Sequence, residues 1–180
     1  MNFIFTPLEG LVIIEPKIFH DDRGYFFESF NQSEFEKNGI QADFIQDNQS
    51  LSHKGVLRGL HFQNAPFEQG KLVRVTRGAV LDVAVDIRKK SKTLGKYLSF
   101  ELNDSNHRML WIPAGFAHGF ATLEDNTVFN YKCTQFYSKD SESGIRFDDP
   151  DLNIDWKISN PILSDKDLQL LSWKKFIHLS

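Results

Sequence analysis

Two apolar segments interrupted by glycine decide the fold of this chain, VLRGLHFQ at residues 56–63 and WIPAGFAHGF at residues 111–120. Each contains a histidine, His61 in the first and His118 in the second. Short apolar runs of this kind are typical of buried strands, where a histidine is usually a core residue with a satisfied hydrogen bond. Two such histidines, with Arg58 and Lys71 nearby in the sequence, favour a polar cavity instead.

A strand pattern continues on both sides of these segments. Many short strands separated by turn signals, such as Arg77-Gly78 and 124–126, indicate an all-β sandwich or a small barrel. The predicted strands are 12–16, 25–30, 44–48, 56–63, 71–76, 80–87, 96–102, 109–112, 116–122 and 127–136.

Two short peripheral helices are also predicted. Residues 33–36 have the pattern of a capping box, and Gly39 stands where a C-terminal cap is expected. Ser164 is the expected N-cap of a second helix, in which Asp167 falls in the acidic first turn.

Composition limits the class of protein. The chain has 180 residues, a net charge of −3 and no basic cluster, which favours one domain over residues 1–180 and argues against a general nucleic-acid binder. The single cysteine, Cys133, excludes an internal disulfide and a cysteine-based zinc cluster. No apolar run approaches the roughly 18 residues of a membrane span, and the N-terminus does not resemble a secretory signal, so we expect a cytoplasmic protein without a membrane partner.

Strand alternation places charged residues on unexpected faces. Lys71 shares a face with Val73 and Val75, so it either emerges at the strand end or projects into a pocket. Asp82 and Asp86 share a face of the following strand. These two acids either form a solvated face or hold a lysine or arginine in place.

The spacing of Gly55, His61, Gln63 and Glu68 resembles the first cupin motif, and the pattern 113–118 resembles the second. The resemblance implies a cupin-like jelly-roll barrel, a double-stranded β-helix. Metal-binding cupins have two histidines and a glutamate in the first motif, whereas Gln63 stands at the second histidine position here. We therefore expect no metal, with a metal-dependent cupin and a non-catalytic sugar-binding cupin as the alternatives.

Seven blocks in register then resemble the dTDP-4-dehydrorhamnose 3,5-epimerase family over about residues 1–170. The blocks are 19–30, 44–50, 56–63, 69–74, 82–88, 111–120, and 154–156 with 163–167. The resemblance implies cofactor-free inversion of C3 and C5 in a dTDP-4-keto-6-deoxy sugar. It also implies a place in dTDP-L-rhamnose biosynthesis for cell-surface polysaccharide such as O antigen, and a homodimer with exchanged N-terminal strands. Relatives that act on another 4-keto sugar, or at one carbon only, share much of the same core.

The resemblance assigns roles to individual residues. His61 would be the base, Asp167 would orient its ring, Lys71 would stabilise the enolate, and Tyr131 would be the acid. The implied substrate contacts are Arg23, Phe26, Glu28, Gln46, Asp47, Asn48, Arg58, His118, Glu142 and Lys166.

Arg58 poses a separate question, because in a regular strand its parity is opposite to that of His61. A bulge at Gly59 would bring both side chains to one side of the strand. Alternatively, Arg58 contacts a ligand shared with a neighbouring subunit.

Overall fold

The computed structural model describes residues 1–179, which form two packed antiparallel sheets, a small hairpin and three short helices. The strands are β1 Asn2–Phe5, β2 Val12–Glu15, β3 Phe19–Asp21, β4 Gly24–Phe26, β5 Gln46–Ser52, β6 Leu57–Gln63, β7 Lys71–Arg77, β8 Ala79–Asp86, β9 Tyr97–Asn103, β10 Met109–Ile112, β11 Phe116–Thr122, β12 Thr127–Cys133 and β13 Glu142–Gly144. The helices are α1 Gln32–Lys37, α2 Asp165–Leu168 and α3 Trp173–Leu179.

The strand order confirms a cupin-like jelly roll. One sheet has the order β1-β2-β10-β7-β12-β5 and the other has the order β13-β6-β11-β8-β9. Within residues 1–179, β3 pairs only with β4. All ten predicted strands are present, β10 and β11 with the predicted bounds and the other eight with shifted ends, whereas the short strands β1, β3 and β13 were not predicted. Those three strands have too few residues for an alternating pattern to be recognised.

Alternate residues of the strands build separate apolar layers. Val73 and Val75 of β7 pack between the sheets with Val80 and Ala84 of β8, in what we call the interior cluster. The opposite face of β8 packs under the C-terminal segment, which contributes residues such as Trp156, in what we call the outer cluster. Because both of its faces are covered, every residue of β8 is buried.

Of the two alternatives for the acids of β8, the solvated face is therefore wrong. Asp82 and Asp86 are both 0% exposed, since the face they share with Val80 and Ala84 is the interior one. Asp86 accepts hydrogen bonds from Arg88, Ser91 and Thr93 near the end of the strand.

The helix predictions are partly confirmed. Ser164 caps α2, accepting a hydrogen bond from the Asp167 backbone N–H at 3.2 Å. Helix α1 begins earlier than predicted, because its N-cap is Asn31 rather than Ser33. Gly39 follows the helix end with φ +79°, a left-handed conformation that glycine adopts without steric cost. Among residues 1–179, no helix is long and apolar enough to cross a membrane.

Candidate active site

A cavity of about 280 Å³ opens between the two sheets. Lys71 of β7 and Tyr131 of β12 reach it from the six-stranded sheet, whereas His61 of β6 and His118 of β11 reach it from the five-stranded sheet. Asp167 of α2 lies at its edge. The fold therefore brings together all four residues for which a catalytic role is predicted.

His61 and Asp167 form a partly buried pair. The distance between His61 Nε2 and Asp167 Oδ1 is 2.6 Å, and Ser164 Oγ donates to Asp167 Oδ2 at 2.7 Å. Burial acts to raise the pKa of Asp167, but the hydrogen bonds from His61 and Ser164 outweigh it, so the pKa is lowered. Because an ionised carboxylate only accepts hydrogen bonds, Nε2 carries a proton and Nδ1 of a neutral His61 ring remains free to act as a base. Asp167 thus combines its place in the first helical turn with the orienting role.

Burial shifts the pKa values of Lys71 and Tyr131 in opposite directions. Removal from bulk water lowers the pKa of Lys71, against the attraction of Cys133, Asp82 and Glu142. Burial likewise raises the pKa of the Tyr131 hydroxyl, so this group holds its proton at neutral pH and can serve as a donor.

A bulge in β6 brings Arg58 to the same side as His61. In the ladder with β11, Arg58 lies opposite Phe120 and His61 lies opposite His118, so β6 has one extra residue between them. That residue is accommodated at Gly59, where φ is +122°. A Cβ atom on Gly59 would lie 2.6 Å from the Gly119 Cα atom. Arg58 therefore lines the same cavity as His61 within one chain.

An adjoining cavity of about 310 Å³ shares His61, Lys71 and Tyr131 with the first. Among the residues predicted to contact substrate, Gln46, Asn48 and Glu142 line this second cavity, while Arg58, His118 and Lys166 line the first. Lys166 and Glu142 form a salt bridge, which connects the walls of the two cavities.

Four predicted substrate contacts lie outside both cavities. Arg23 and Phe26 belong to the β3-β4 hairpin and are strongly exposed. Glu28 follows the hairpin and accepts a hydrogen bond from the Asn31 side chain. Asp47 points to the outer face of its sheet, because it alternates with Gln46 and Asn48, and there it pairs with Lys132 at 2.7 Å.

The cavity walls also contain residues that were not predicted to bind substrate, including Gln63, Gln69 and Tyr137. The Gln63 amide donates to the carbonyls of Phe67 and Phe136 and accepts from the Ser138 N–H. Gln63 therefore holds two loops at the cavity edge, a task that the spacing of a cupin motif does not reveal. Within residues 1–179 no group of three or more His, Cys, Asp or Glu side chains could hold a metal ion, and the absence of a metal stays a prediction.

The fold and the cavity define a cupin-type enzyme with a histidine–aspartate pair, a lysine and a tyrosine facing one space. Residues 5–175 match the family described as dTDP-4-dehydrorhamnose 3,5-epimerase, and the chain belongs to this family. It is therefore an isomerase.

Individual relatives agree with this assignment. The chain is 55% identical to the dTDP-4-dehydrorhamnose 3,5-epimerase of Shigella flexneri over 169 residues, 93% of each chain. It is 50% identical to a solved epimerase from Legionella pneumophila in complex with dTDP-4-keto-L-rhamnose, with a TM-score of 0.90 over 94% of this chain and 90% of that one. A 3′-monoepimerase from Streptomyces bikiniensis in complex with dTDP-quinovose is 32% identical, with a TM-score of 0.92 over 98% of this chain and 90% of that one.

The bulge at Gly59 leads to a prediction about stability and activity. Gly59→Ala should lower the free energy of unfolding by about 2 kcal/mol or more, since it adds backbone strain and a clash with β11. Gly55→Ala is the matched control, because Gly55 has φ +85° but nothing lies within 4 Å of the place that a Cβ atom would take there. Urea unfolding and epimerase assays compare the two variants. Equal losses for both would show that the close approach of β6 and β11 is unimportant.

Proposed function

We propose that this chain inverts C3 and C5 of dTDP-4-dehydro-6-deoxy-D-glucose to give dTDP-4-dehydro-L-rhamnose. The observation that carries the proposal is the convergence of His61, Asp167, Lys71 and Tyr131 on one cavity. The family of the chain and the ligand named for the Legionella pneumophila structure support the choice of substrate.

The chemistry depends on the C4 ketone between the two carbons. His61 Nδ1 takes the proton from C3 or C5, and the electron pair of the broken C–H bond moves to O4 as an enolate. The Lys71 ammonium stabilises the charge on O4, and a single donor of this kind contributes on the order of 3 to 4 kcal/mol. The enolate electron pair then forms a new C–H bond with a proton that Tyr131 supplies to the same carbon from the opposite face. Tyr131 recovers a proton from solvent, and His61 releases to solvent the proton that it took. His61 and Tyr131 suit this inversion because they enter the cavity from opposite sheets. The residues themselves account for each proton, so we propose that no cofactor takes part.

The nucleotide part of the substrate would bind through the charged and polar cavity walls. The Arg58 guanidinium matches the geometry of a diphosphate, and Lys166 adds a second cation to the same cavity. Gln46, Asn48 and Glu142 would contact the substrate in the adjoining cavity.

Arg23, Phe26 and Glu28 would act across a homodimer. The Arg23 side chain is 89% exposed and Phe26 is 65% exposed, on a hairpin that pairs with neither main sheet. An exposed aromatic residue and an exposed cation on such a hairpin suit a contact with a second copy of the chain. We propose that this hairpin completes the partner's substrate site.

We also propose that residues 1–180 form one domain and that the protein is cytoplasmic. Its product would be used to make dTDP-L-rhamnose, and hence cell-surface polysaccharide such as O antigen. The similarity to a 3′-monoepimerase favours inversion at one carbon as the second candidate function.

The first test is incubation with dTDP-4-dehydro-6-deoxy-D-glucose in deuterium oxide. The unmodified chain should incorporate deuterium at C3 and C5, and His61→Ala should lose incorporation and epimerisation by ~10²- to 10⁴-fold or more, because general-base catalysis is lost. His53→Ala is the control, since the His53 side chain is 72% exposed. Label at one carbon only would establish the monoepimerase, and normal exchange in folded His61→Ala would remove His61 from the mechanism.

The second test separates proton removal from proton delivery. Tyr131→Phe keeps the ring but removes the donor, so His61 can still take a proton and return a deuteron to the same face. We expect continued deuterium incorporation with strongly reduced inversion, measured by proton NMR of the sugar ring. Tyr97→Phe is the control, because the Tyr97 hydroxyl that it removes lies 3.4 Å from the Asn153 carbonyl oxygen, a long hydrogen bond. Inversion at the normal rate in Tyr131→Phe would mean that another group is the acid.

The third test concerns the dimer. Sedimentation at micromolar concentration should give about twice the 20.8 kDa chain mass. Arg23→Ala should weaken substrate binding by ~10-fold or more, because a charge-assisted contact is lost. Mixing Arg23→Ala with His61→Ala chains should restore activity, since one site of each mixed dimer then has His61 from one chain and Arg23 from the other. A purely monomeric chain, or no recovery on mixing, would contradict the exchanged hairpin.

A further inference from the structure

Asp82 is a buried acidic side chain to which the epimerisation mechanism gives no task. It lies in the middle of β8 and is 0% exposed. Its neighbours on the same face, Val80 and Ala84, pack in the interior cluster with Val73, which shares a face with Lys71. Asp82 therefore points into the space between the sheets from which the cavity opens.

The two oxygens of Asp82 have different surroundings. Oδ2 lies 2.9 Å from His118 Nε2, whereas Oδ1 is buried and has no hydrogen-bond partner among residues 1–179. A buried carboxylate oxygen without a partner loses its hydration and costs stability. An apolar residue at position 82 would avoid this cost. The presence of an acidic residue there therefore suggests that its charge has a function.

His118 shows the first effect of Asp82. The ring of His118 stacks on Phe129 with centroids 6.1 Å apart, and its backbone lies directly opposite His61 in the β6-β11 ladder. Asp82 accepts from Nε2, so a neutral ring keeps its free lone pair on Nδ1. The two neighbouring histidines of the five-stranded sheet are thus each paired with an aspartate, His61 with Asp167 of α2 and His118 with Asp82 of β8.

The second effect of Asp82 concerns the charge of Lys71. Arg58 and Lys166 line the same cavity and disfavour another ammonium, as does any protonation of His61 or His118. Asp167 faces the cavity too, but its carboxylate is occupied by His61 and Ser164. A counter-charge is therefore needed if Lys71 is to remain cationic.

Three groups raise the pKa of Lys71 against the effect of removal from bulk water, namely Cys133, Asp82 and Glu142. Burial raises the pKa of the Cys133 thiol, which is therefore neutral at pH 7. Glu142 is already engaged by Lys166 and by the Tyr137 hydroxyl. Of the two carboxyl groups, only that of Asp82 has a buried oxygen without a partner in the described part of the chain, residues 1–179.

We propose that Asp82 is a positioning residue for the epimerisation, which holds the His118 ring with one oxygen and with the other supplies the negative charge that keeps Lys71 protonated. This inference rests on the proposed function, because it concerns the state of the lysine that stabilises the enolate.

The test is Asp82→Asn, which keeps the shape of the side chain and removes its charge. Loss of a negative neighbour favours the neutral amine, so the pKa of Lys71 should fall by about one unit or more. NMR titration of lysines labelled with ¹³C at Cε measures this without substrate. In assays, kcat should fall at least ~10-fold with KM within about threefold, and the alkaline limb of the pH profile should move to lower pH. The ratio of variant to unmodified activity should therefore rise as the pH is lowered.

Asp86→Asn is the matched control. Asp86 is on the same face of the same strand and is equally buried, but its partners are Arg88, Ser91 and Thr93. This variant should lose stability and leave both the Lys71 titration and the pH profile unchanged. If Asp82→Asn behaves as Asp86→Asn does, Asp82 is purely structural and the proposal is overturned.

Two further variants distinguish an effect on Lys71 from a loss of folding. Asp82→Ser removes the charge with a smaller side chain, and it replaces Asp82→Asn if that variant does not fold. In a Lys71→Met background, Asp82→Asn should reduce the residual activity by less than threefold, and an undiminished effect there would contradict action through Lys71. The titration needs no turnover, so a shifted Lys71 pKa in a chain inactive on the dTDP sugar would refute the proposed function and leave the pairing of Asp82 with Lys71 supported.

Discussion

The site depends on how charges are stabilised between two apolar sheets. A charge moved out of water into a protein interior loses several kcal/mol of hydration unless other groups compensate. Several ionisable side chains around this cavity are therefore paired, His61 with Asp167, His118 with Asp82 and Lys166 with Glu142. Lys71 has no such partner within hydrogen-bond distance among the contacts described for residues 1–179. This leaves its ammonium available for negative charge that develops on a substrate.

The second requirement is a local break in strand regularity. Leu57, Leu60 and Phe62 all pack in the outer cluster over the five-stranded sheet, so the apolar face of β6 skips one residue at Gly59. Without that extra residue, Arg58 and His61 would point to opposite faces. The close approach to Gly119 is possible because neither residue has a Cβ atom.

Alternation also explains why part of the predicted site is elsewhere. Gln46 and Asn48 face the cavity, and Asp47 between them faces outwards. Arg23 and Phe26 are on a hairpin outside both main sheets. A contiguous stretch of sequence that matches a family's binding block therefore contains residues that one chain cannot bring to the same cavity.

The sequence by itself determined the strand pattern, the helix cap at Ser164 and, through its resemblance to a family, the four residues that converge on the cavity. These features are local or are repeated in ordered blocks, so they can be recognised along the chain. The tertiary structure alone decided the burial of Asp82, the partners of Gln63 and the bulge that brings Arg58 to the side of His61. Each of these depends on contacts with residues far away in the sequence, namely His118, Phe136 and Gly119, and no local pattern encodes the packing of one sheet against another.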